Sequence, residues 1–247
     1  MISKILSYLS KKASRKNLNE NILKSFAKIK NKKTKVKVLY IGSMEQGDLD
    51  EDLITNNFED VFSIDIDQQR NPNQVIDICD DHFSQNLKYK PNLACCFEVL
   101  EHTTNPQKAV NNIYSVLNKD DFCLVSVPFN FHIHDEPNDF YRFTFYGLKM
   151  LFKNFSEVKI LKRNGWLESI FVNIIRLEKE KNILSKNIGR IFIILYFLLM
   201  PIIIIIQKII PSEKLTTGYF VEAKKWLKYF LSINLKYNNQ EFFFLNR

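Results

Sequence analysis

Residues 93–102 read LACCFEVLEH, a five-residue apolar run that leads directly into two carboxylates and an imidazole. A helix pattern follows, and then a second apolar run, 122–127, leads into the polar and aromatic segment 128–142. In an open parallel α/β sheet, ligands bind at the carboxyl ends of the strands. Two strands that end in titratable side chains therefore indicate an active site on such a sheet.

The rest of the chain alternates between strand patterns and helix patterns. Asn105 followed by Pro106 is a helix start, Thr144 caps a helix through residue 152, and Asp48 or Asp50 caps one that reaches about residue 58. Runs rich in β-branched and aromatic residues predict strands at 36–41, 61–66, 74–78, 93–97, 122–127, 158–161 and 218–223. The pattern predicts an α/β fold: a doubly wound, mostly parallel seven-stranded sheet with helices on both faces.

The composition is that of an ordinary globular chain. With 247 residues, of which 46% are hydrophobic and 25% charged, it can bury a full core and is not a disordered protein. Its four cysteines lie on or beside apolar runs without C-x-x-C spacing, so neither a zinc site nor a disulfide framework is indicated. Buried, reduced thiols in a cytosolic protein are expected.

The net charge of +8 is concentrated at the amino terminus. Residues 1–37 hold twelve Lys or Arg against the single acid Glu20, with apolar residues at near-helical spacing. Segment 1–36 is therefore predicted to be a basic amphipathic helix, which either contacts an anionic membrane or packs on the catalytic domain through one apolar stripe. No nucleic-acid partner is expected, because nothing else in the chain extends a basic patch.

The motifs EVLEH at 98–102 and P-F-x(4)-H-x-x-P-x-D-F-Y-R-F-T at 128–144 give the chain a resemblance to a known family. It resembles the class I S-adenosylmethionine-dependent methyltransferases, and most of all a branch found with surface-polysaccharide biosynthesis. The resemblance covers residues 37–161 and a strand near 219–225. It implies a Rossmann-like methyltransferase domain with S-adenosylmethionine as its cofactor.

The resemblance also implies where the cofactor binds. Gly42 matches the first glycine of the G-x-G-x-G turn after the first strand, in which backbone amides approach the ligand. Met44 replaces the second glycine and Tyr40 the usual preceding acid. Ser43 and Gly47 are the other cofactor-binding candidates of this loop.

Acids after the next strands complete this predicted cofactor site. Asp65, with Asp67 as the near alternative, matches the acid that accepts the ribose hydroxyls. Asp77 or Asp80 would meet the adenine amino group, and Glu98 at the fourth strand is the last cofactor-binding candidate.

The catalytic candidates are His102, Glu98 and His134. A histidine titrates near neutrality, so His102 or His134 could take a proton from an acceptor hydroxyl as the methyl group arrives. The alternative is that Glu101 and His102 only cap the following helix.

The loop after the fifth strand is predicted to close over the acceptor through His132, Asp139, Tyr141 and Arg142. Arg142 either clamps a phosphate or carboxylate or pairs with Asp139 to brace the loop. No metal is predicted, because H-x-H on an irregular loop is a weak metal signal.

Residues 165–214 interrupt the strand and helix rhythm. The segment 191–210 is almost uniformly apolar and just long enough to cross a bilayer. A strand of the same sheet follows it, so both of its ends must lie on one side of a membrane. A re-entrant hairpin kinked at Pro201 or a helix lying in the membrane interface satisfies this condition, and a buried core helix or dimer interface is the alternative.

These patterns predict four regions: a helical segment 1–36, a methyltransferase-like domain of 37–164 with 215–225, a membrane-seeking insertion 165–214, and an aromatic-rich helix and tail 226–247. The expected function is methyl transfer to a small-molecule or lipid-linked glycan acceptor, with a sugar hydroxyl as the expected target. The expected location is cytoplasmic, peripheral or monotopic at the inner face of the cytoplasmic membrane. A lipid or isoprenoid methyltransferase and an inactive membrane scaffold are the alternatives, and the sequence leaves the oligomeric state open.

Overall fold

The computed structural model describes residues 2–42, 49–212 and 214–226. Within them lies a seven-stranded sheet of order β3-β2-β1-β4-β5-β7-β6, in which only β7 is antiparallel to its neighbours. The strands are β1 (Lys37–Ile41), β2 (Asp60–Asp65), β3 (Gln74–Val75), β4 (Leu93–Phe97), β5 (Phe122–Pro128), β6 (Glu157–Lys162) and β7 (Gly218–Lys224). This arrangement confirms the predicted fold.

Most predicted strands lie within a residue of their observed bounds, and the third is the exception. It was predicted to reach Ile78 but ends at Val75. The chain turns soon afterwards, because the Asp77 carboxylate accepts a hydrogen bond from the backbone amide of Cys79 at 2.7 Å. The four cysteines are free and buried, as expected.

The helices are α1 (Ile2–Lys30), α2 (Leu49–Thr55), α3 (Phe83–Asn86), α4 (Pro106–Val116), α5 (Phe145–Leu151), α6 (Trp166–Ile175) and α7 (Ile183–Ile209). Asn105 and Thr144 cap α4 and α5 as predicted, each accepting a hydrogen bond from a backbone amide of the first turn. The predicted cap Asp50 instead lies inside α2, which ends at Thr55 rather than near residue 58. The other predicted cap, Asp48, and the tail 227–247 lie outside the described residues.

Helix α1 packs on one face of the sheet with its second half. Leu18, Ile22, Phe26 and Ile29 are fully buried there among residues of β1, β4 and β5. The other face of the sheet is covered mainly by α3, α4 and α5. Of the two alternatives for segment 1–36, packing on the catalytic domain therefore holds for this half, whereas Ile5 and Tyr8 nearer the amino terminus are exposed.

The insertion folds as a helical pair, α6 and α7, with its own apolar core. Helix α7 runs without interruption through Pro201, so it does not form a hairpin. Gly189 allows α7 to approach the preceding turn, because a Cβ there would collide with the backbone of Glu178. The side-chain oxygen of Gln207 accepts hydrogen bonds from the amides of Leu167 and Glu168, each at 3.1 Å, which joins the end of α7 to the start of α6.

Candidate active site

A cleft of about 510 Å³ opens at the carboxyl ends of β1, β2 and β4. This is the edge of the sheet where ligands bind in open α/β folds, and the volume lies within the usual range of ligand pockets. Its lining residues are Ile41, Gly42, Ile64, Asp65, Ile66, Asp67, Arg70, Ile76, Asp77, Ile78, Glu98, Val99, His102, Thr103, Thr104, Asp135, Asn138 and Phe140.

The floor of the cleft requires glycine at position 42. Gly42 has a φ of +84°, a conformation that side chains disfavour. A Cβ at this position would also collide with the side chain of Val99. Ser43 and Gly47, the other predicted members of the turn, lie outside the described residues. Tyr40, which replaces the usual acid, packs in the core between the sheet and α1 and is not among the lining residues.

The acids of β2 and β3 differ in position. Asp65 and Asp77 line the cleft, and so does the near alternative Asp67. The carboxylate of Asp65 accepts a hydrogen bond from the amide of Asp67 at 2.8 Å and lies 3.7 Å from the guanidinium of Arg70. Burial raises the pKa of this carboxyl. Asp80 is not among the lining residues; its carboxylate instead binds the amide of His82 at the start of α3.

Glu98 follows β4 in a strained conformation. Its φ is +54°, which is uncommon for a residue with a side chain and is found preferentially at functional sites. Its carboxylate accepts hydrogen bonds from the hydroxyl of Ser126, at 2.8 Å, and from the guanidinium of Arg163. These contacts fix the Glu98 carboxylate at the cleft wall.

Glu101, His102 and His134 come together beside the cleft. The Nε2 atoms of both histidines lie 4.0 Å from Oε1 of Glu101, and the two rings are 5.1 Å apart between centroids. Glu101 is fully buried, and burial raises the pKa of its carboxyl to about 8. Neither of its carboxylate oxygens has a hydrogen-bond partner among residues 2–42, 49–212 and 214–226. From the sequence, Glu101 was interpreted only as a helix cap. The structure instead places its carboxyl close to both predicted catalytic histidines.

The loop between β5 and α5 is braced from within. Arg142 forms a bidentate pair with Asp139, with both N···O distances 2.6 Å, and it also donates to the carbonyls of Phe131 and His132. These contacts correspond to the bracing role among the two alternatives for Arg142. Burial alone would raise the pKa of the Asp139 carboxyl. The hydrogen-bonded pair with Arg142 outweighs burial and lowers this pKa to about 2.

The remaining predicted loop residues lie apart from the lining of the cleft. His132 is half-buried; burial, together with the nearby Arg176 charge, lowers its pKa to about 4. Tyr141 is exposed and donates its hydroxyl hydrogen to the carbonyl of Thr104 at 3.2 Å.

Several residues at the cleft or in contact with it were not predicted from the sequence. Arg163 does not line the cleft but binds Glu98, which does. It follows β6, which is parallel to β5, so the rule that ligands bind at carboxyl ends of strands would have found it. Asp135, Asn138 and Phe140 lie in the predicted acceptor loop, but nothing in their spacing distinguished them from their neighbours.

The same loop also contacts the insertion. The side-chain amide of Asn173 on α6 donates to the carbonyl of Asn130 at 3.1 Å. The guanidinium of Arg176 lies 5.0 Å from the ring centroid of Phe131, and this ring packs against the core of α6 and α7. One wall of the cleft is thus attached to the helical insertion.

The fold and the cleft define the class of protein: a Rossmann-like enzyme that binds its ligand at the carboxyl edge of the sheet. A family model described as "Methyltransferase domain" matches residues 12–168, and the chain belongs to this family. The predicted enzyme class, a methyltransferase, is thereby confirmed. The alternative of an inactive scaffold is set aside.

A solved structure shares the fold, and another is a weaker match. A SAM dependent methyltransferase from Archaeoglobus fulgidus superposes with a TM-score of 0.54 at 18% identity, covering 86% of this chain and 95% of the other. The N-methyltransferase NodS from Bradyrhizobium japonicum WM9 gives a TM-score of 0.45 at 8% identity, covering 78% and 87%. No curated protein sequence matches the chain.

Proposed function

We propose that the protein transfers a methyl group from S-adenosylmethionine to a hydroxyl of a sugar or lipid-linked glycan at the cytoplasmic face of a membrane. The observation that carries this proposal is the loop between β5 and α5, which lines the cleft with Asp135, Asn138 and Phe140 and packs against the apolar insertion with Phe131. A single loop thus connects the catalytic cleft to the insertion, whose exposed face we propose contacts lipid.

The residues of the cleft fit the cofactor. Asp65 presents a largely buried carboxylate that can accept the ribose hydroxyls, and Gly42 allows the backbone to approach the ligand. Asp77 lines the cleft at the carboxyl end of β3, where it can accept from the adenine amino group. When bound, S-adenosylmethionine supplies a methyl group on a positively charged sulfur.

The chain's own groups orient the reactants. Arg163 and Ser126 fix the Glu98 carboxylate beside the place for the cofactor, so no rotamer has to be ordered when the ligand binds. Alignment of the acceptor with the methyl group supplies much of the rate enhancement in such transfers.

His102 is held with the lone pair of its Nε2 atom available at the acceptor end of the cleft. Its Nδ1 lies 2.8 Å from the carbonyl oxygen of Asn138, which can only accept, so the neutral ring carries its hydrogen on Nδ1. The lone pair on Nε2 can then accept a proton or bind a cation.

A polar acceptor suits the other end of the cleft. Asp135, Asn138 and His102 line it and offer carboxylate, amide and imidazole groups to hydroxyls, and Phe140 adds an aromatic surface on which a sugar ring can stack. This composition supports a glycan acceptor in preference to a purely apolar one.

Helix α7 supports the membrane location. It is long and apolar enough to span a bilayer by length and composition, but one side is packed on the insertion core through Ile193, Tyr196 and Ile203. The opposite side exposes large apolar side chains at helical spacing: Ile191, Ile194, Leu198, Ile202, Ile205 and Ile209. A helix with one packed face and one exposed apolar face suits the membrane interface better than a crossing.

The cofactor part of the proposal is tested by calorimetric titration of the full chain with S-adenosylmethionine. Asp65→Ala should weaken binding by ~1–3 kcal/mol, the scale for a lost hydrogen bond to a charged group. Asp81→Ala is the matched control, because Asp81 is exposed and does not line the cleft. Wild-type protein that fails to bind at millimolar cofactor would refute the proposed cofactor site.

The acceptor part is tested by incubating the protein and tritiated S-adenosylmethionine with membranes of the source cells. Label should enter the lipid-extractable fraction and become water-soluble after mild acid releases the glycan. Label that remains with the lipid after hydrolysis would indicate a lipid or isoprenoid acceptor instead.

A further inference from the structure

We propose that Glu101, His102 and His134 form a binding site for one divalent first-row transition-metal ion, such as Mn²⁺ or Zn²⁺. The H-x-H spacing of His132 and His134 did not predict this site, and His132 is not one of the proposed ligands. The set instead joins the end of β4 to a loop more than thirty residues later, so it exists only in the folded chain.

The separations of the three ligand atoms suit a single ion. One oxygen of Glu101 lies 4.0 Å from Nε2 of each histidine, and one ligand atom from each of the three residues lies within 4.8 Å of the others. Metal–ligand bonds of about 2.0–2.2 Å allow two ligand atoms on one ion to be up to about 4.4 Å apart. Small rotations of the side chains are enough to bring all three atoms to one ion.

Both imidazoles are oriented as metal-binding histidines usually are. Nδ1 of His102 is 2.8 Å from the carbonyl oxygen of Asn138, and Nδ1 of His134 is 3.3 Å from a carboxylate oxygen of Asp139. These acceptors hold a hydrogen on each Nδ1, which leaves a lone pair on each Nε2, 4.0 Å from Oε1 of Glu101. Metal-ligating histidines characteristically donate their other N–H to a carbonyl or carboxylate in this way.

The Glu101 carboxylate is an independent indication of a ligand. It is fully buried, and neither oxygen has a hydrogen-bond partner in the described part of the chain. Buried polar groups are normally satisfied. Here Oε1 of Glu101 lies near the Nε2 atoms of both histidines, and with the hydrogens held on Nδ1 neither Nε2 can donate to it. The neighbouring cation Arg142 is engaged by Asp139 and by backbone carbonyls. A metal ion would satisfy all three groups at once.

The ligand set also indicates the kind of cation. Imidazole nitrogen is a good ligand for Mn²⁺, Zn²⁺ and similar ions, whereas Mg²⁺ and Ca²⁺ prefer sites made of oxygen alone. A set of two imidazoles and one carboxylate should therefore favour a transition metal over Mg²⁺.

The metal site borders the part of the cleft that the proposed function assigns to the acceptor. Any contact between the ion and the acceptor therefore rests on the proposed function. His102 lines the cleft, and Asp135, which also lines it, has a carboxylate oxygen 4.0 Å from Nε2 of His102. Asp135 is largely exposed and could complete the coordination, or leave a position open for hydroxyl oxygens of a sugar. With an ion bound, Nε2 of His102 is a ligand and no longer available as a proton acceptor.

The test uses the full chain without a histidine tag, stripped of metal with a chelator, and titrated with Mn²⁺ or Zn²⁺ alone. Calorimetry should detect one ion per chain, and Mg²⁺ should bind more weakly. Glu101→Gln, which keeps the size of the side chain, and His134→Ala should each weaken metal binding by at least about 10- to 100-fold. In metal sites generally, losing only a residue that hydrogen-bonds a ligand already costs about this much affinity. His82→Ala is the matched control, because His82 immediately precedes α3 and does not line the cleft.

Separate readouts distinguish this proposal from the proposed function. Circular dichroism checks that each variant is folded, and titration with S-adenosylmethionine should give wild-type affinity for all three. Absence of metal binding by folded wild-type protein, or equal binding by the Glu101→Gln and His82→Ala variants, would overturn the metal site while leaving the cofactor site standing. Loss of cofactor binding with metal binding intact would do the reverse.

Discussion

The two long helices, α1 and α7, differ in a way that their sequences only partly reveal. Helix α1 is strongly basic, but the apolar stripe of its second half is fully buried against the sheet. Helix α7 is almost uniformly apolar from residue 191 onward, yet many of its large side chains are exposed. The comparison shows that the number of apolar residues does not decide which helix has apolar surface left to offer. What decides it is how much of that surface the rest of the fold already covers.

The largest expected effect concerns the exposed face of α7. Ile194→Glu with Leu198→Glu should abolish flotation of the protein with vesicles. Burying each such side chain in an apolar environment is worth about 1.5–3 kcal/mol, so losing two costs ~3–6 kcal/mol before the added charges are counted. The control is Tyr146→Glu with Met150→Glu, an i, i+4 pair on α5 with comparable exposure.

High salt should release little wild-type protein from the vesicles, because salt screens charges and not apolar contacts. Deletion of residues 191–210 should release most of it. If the α7 double variant floats as well as the α5 control, the exposed face of α7 does not bind lipid.

The next largest effect is on stability, and it compares one phenylalanine of each helix, Phe26 of α1 and Phe197 of α7. Phe26 is 1% exposed and Phe197 is 37% exposed. In detergent, Phe26→Ala should lower the free energy of unfolding by ~3–5 kcal/mol, the usual cost of truncating a buried phenylalanine. Phe197→Ala should lower it by much less, because less contact area is lost. Equal losses in urea denaturation would mean that α7 is as deeply packed as α1.

A smaller effect tests the polar attachment of α1 to the sheet. Glu222 on β7 accepts hydrogen bonds from Ser25, at 2.6 Å, and from Lys28. Burial opposes its ionisation, but these bonds hold the pKa of Glu222 below its ordinary value. Glu222→Gln should cost ~1–3 kcal/mol of unfolding free energy near neutral pH. Glu20→Gln, which breaks the exposed pair with Lys24 on the same helix, should cost less than about 0.5 kcal/mol.

The loss of unfolding free energy in Glu222→Gln should depend on pH, because the pKa of Glu222 is lowered in the folded state. Because the folded-state pKa of Glu222 is lower than the unfolded-state pKa, the stabilisation is present above the ordinary glutamate pKa of about 4.3 and is lost as the pH falls through the folded-state value. The difference between wild type and Glu222→Gln should therefore shrink in acid. A difference that stays constant from pH 7 to pH 3 would contradict the assigned pairing.

The sequence predicted the sheet well because each strand is a local pattern that ends in its own turn. Residues 93–97 are a fully buried apolar run, and the strand prediction there is correct to the residue. Asp65, Asp77 and Glu98 could be placed at the cleft for the same reason, since strand ends meet at one edge of a parallel sheet.

Contacts between distant loops could not be read in this way. The approach of His134 to Glu101 depends on how the loop after β5 folds back, which is set by the internal pair of Asp139 and Arg142. The exposure of α7 was equally hidden, because an apolar run reads the same whether tertiary contacts cover one side, both sides or neither.

The exposed face of α7 also determines how the concentration of an acceptor has to be counted. A protein held at a bilayer by one helix face meets a lipid-linked substrate by diffusion in two dimensions. The governing quantity is then the number of acceptor molecules per unit of membrane area, in the way that tethering replaces bulk concentration by an effective one. An apparent Michaelis constant expressed per litre would describe the vesicle preparation as much as the cleft.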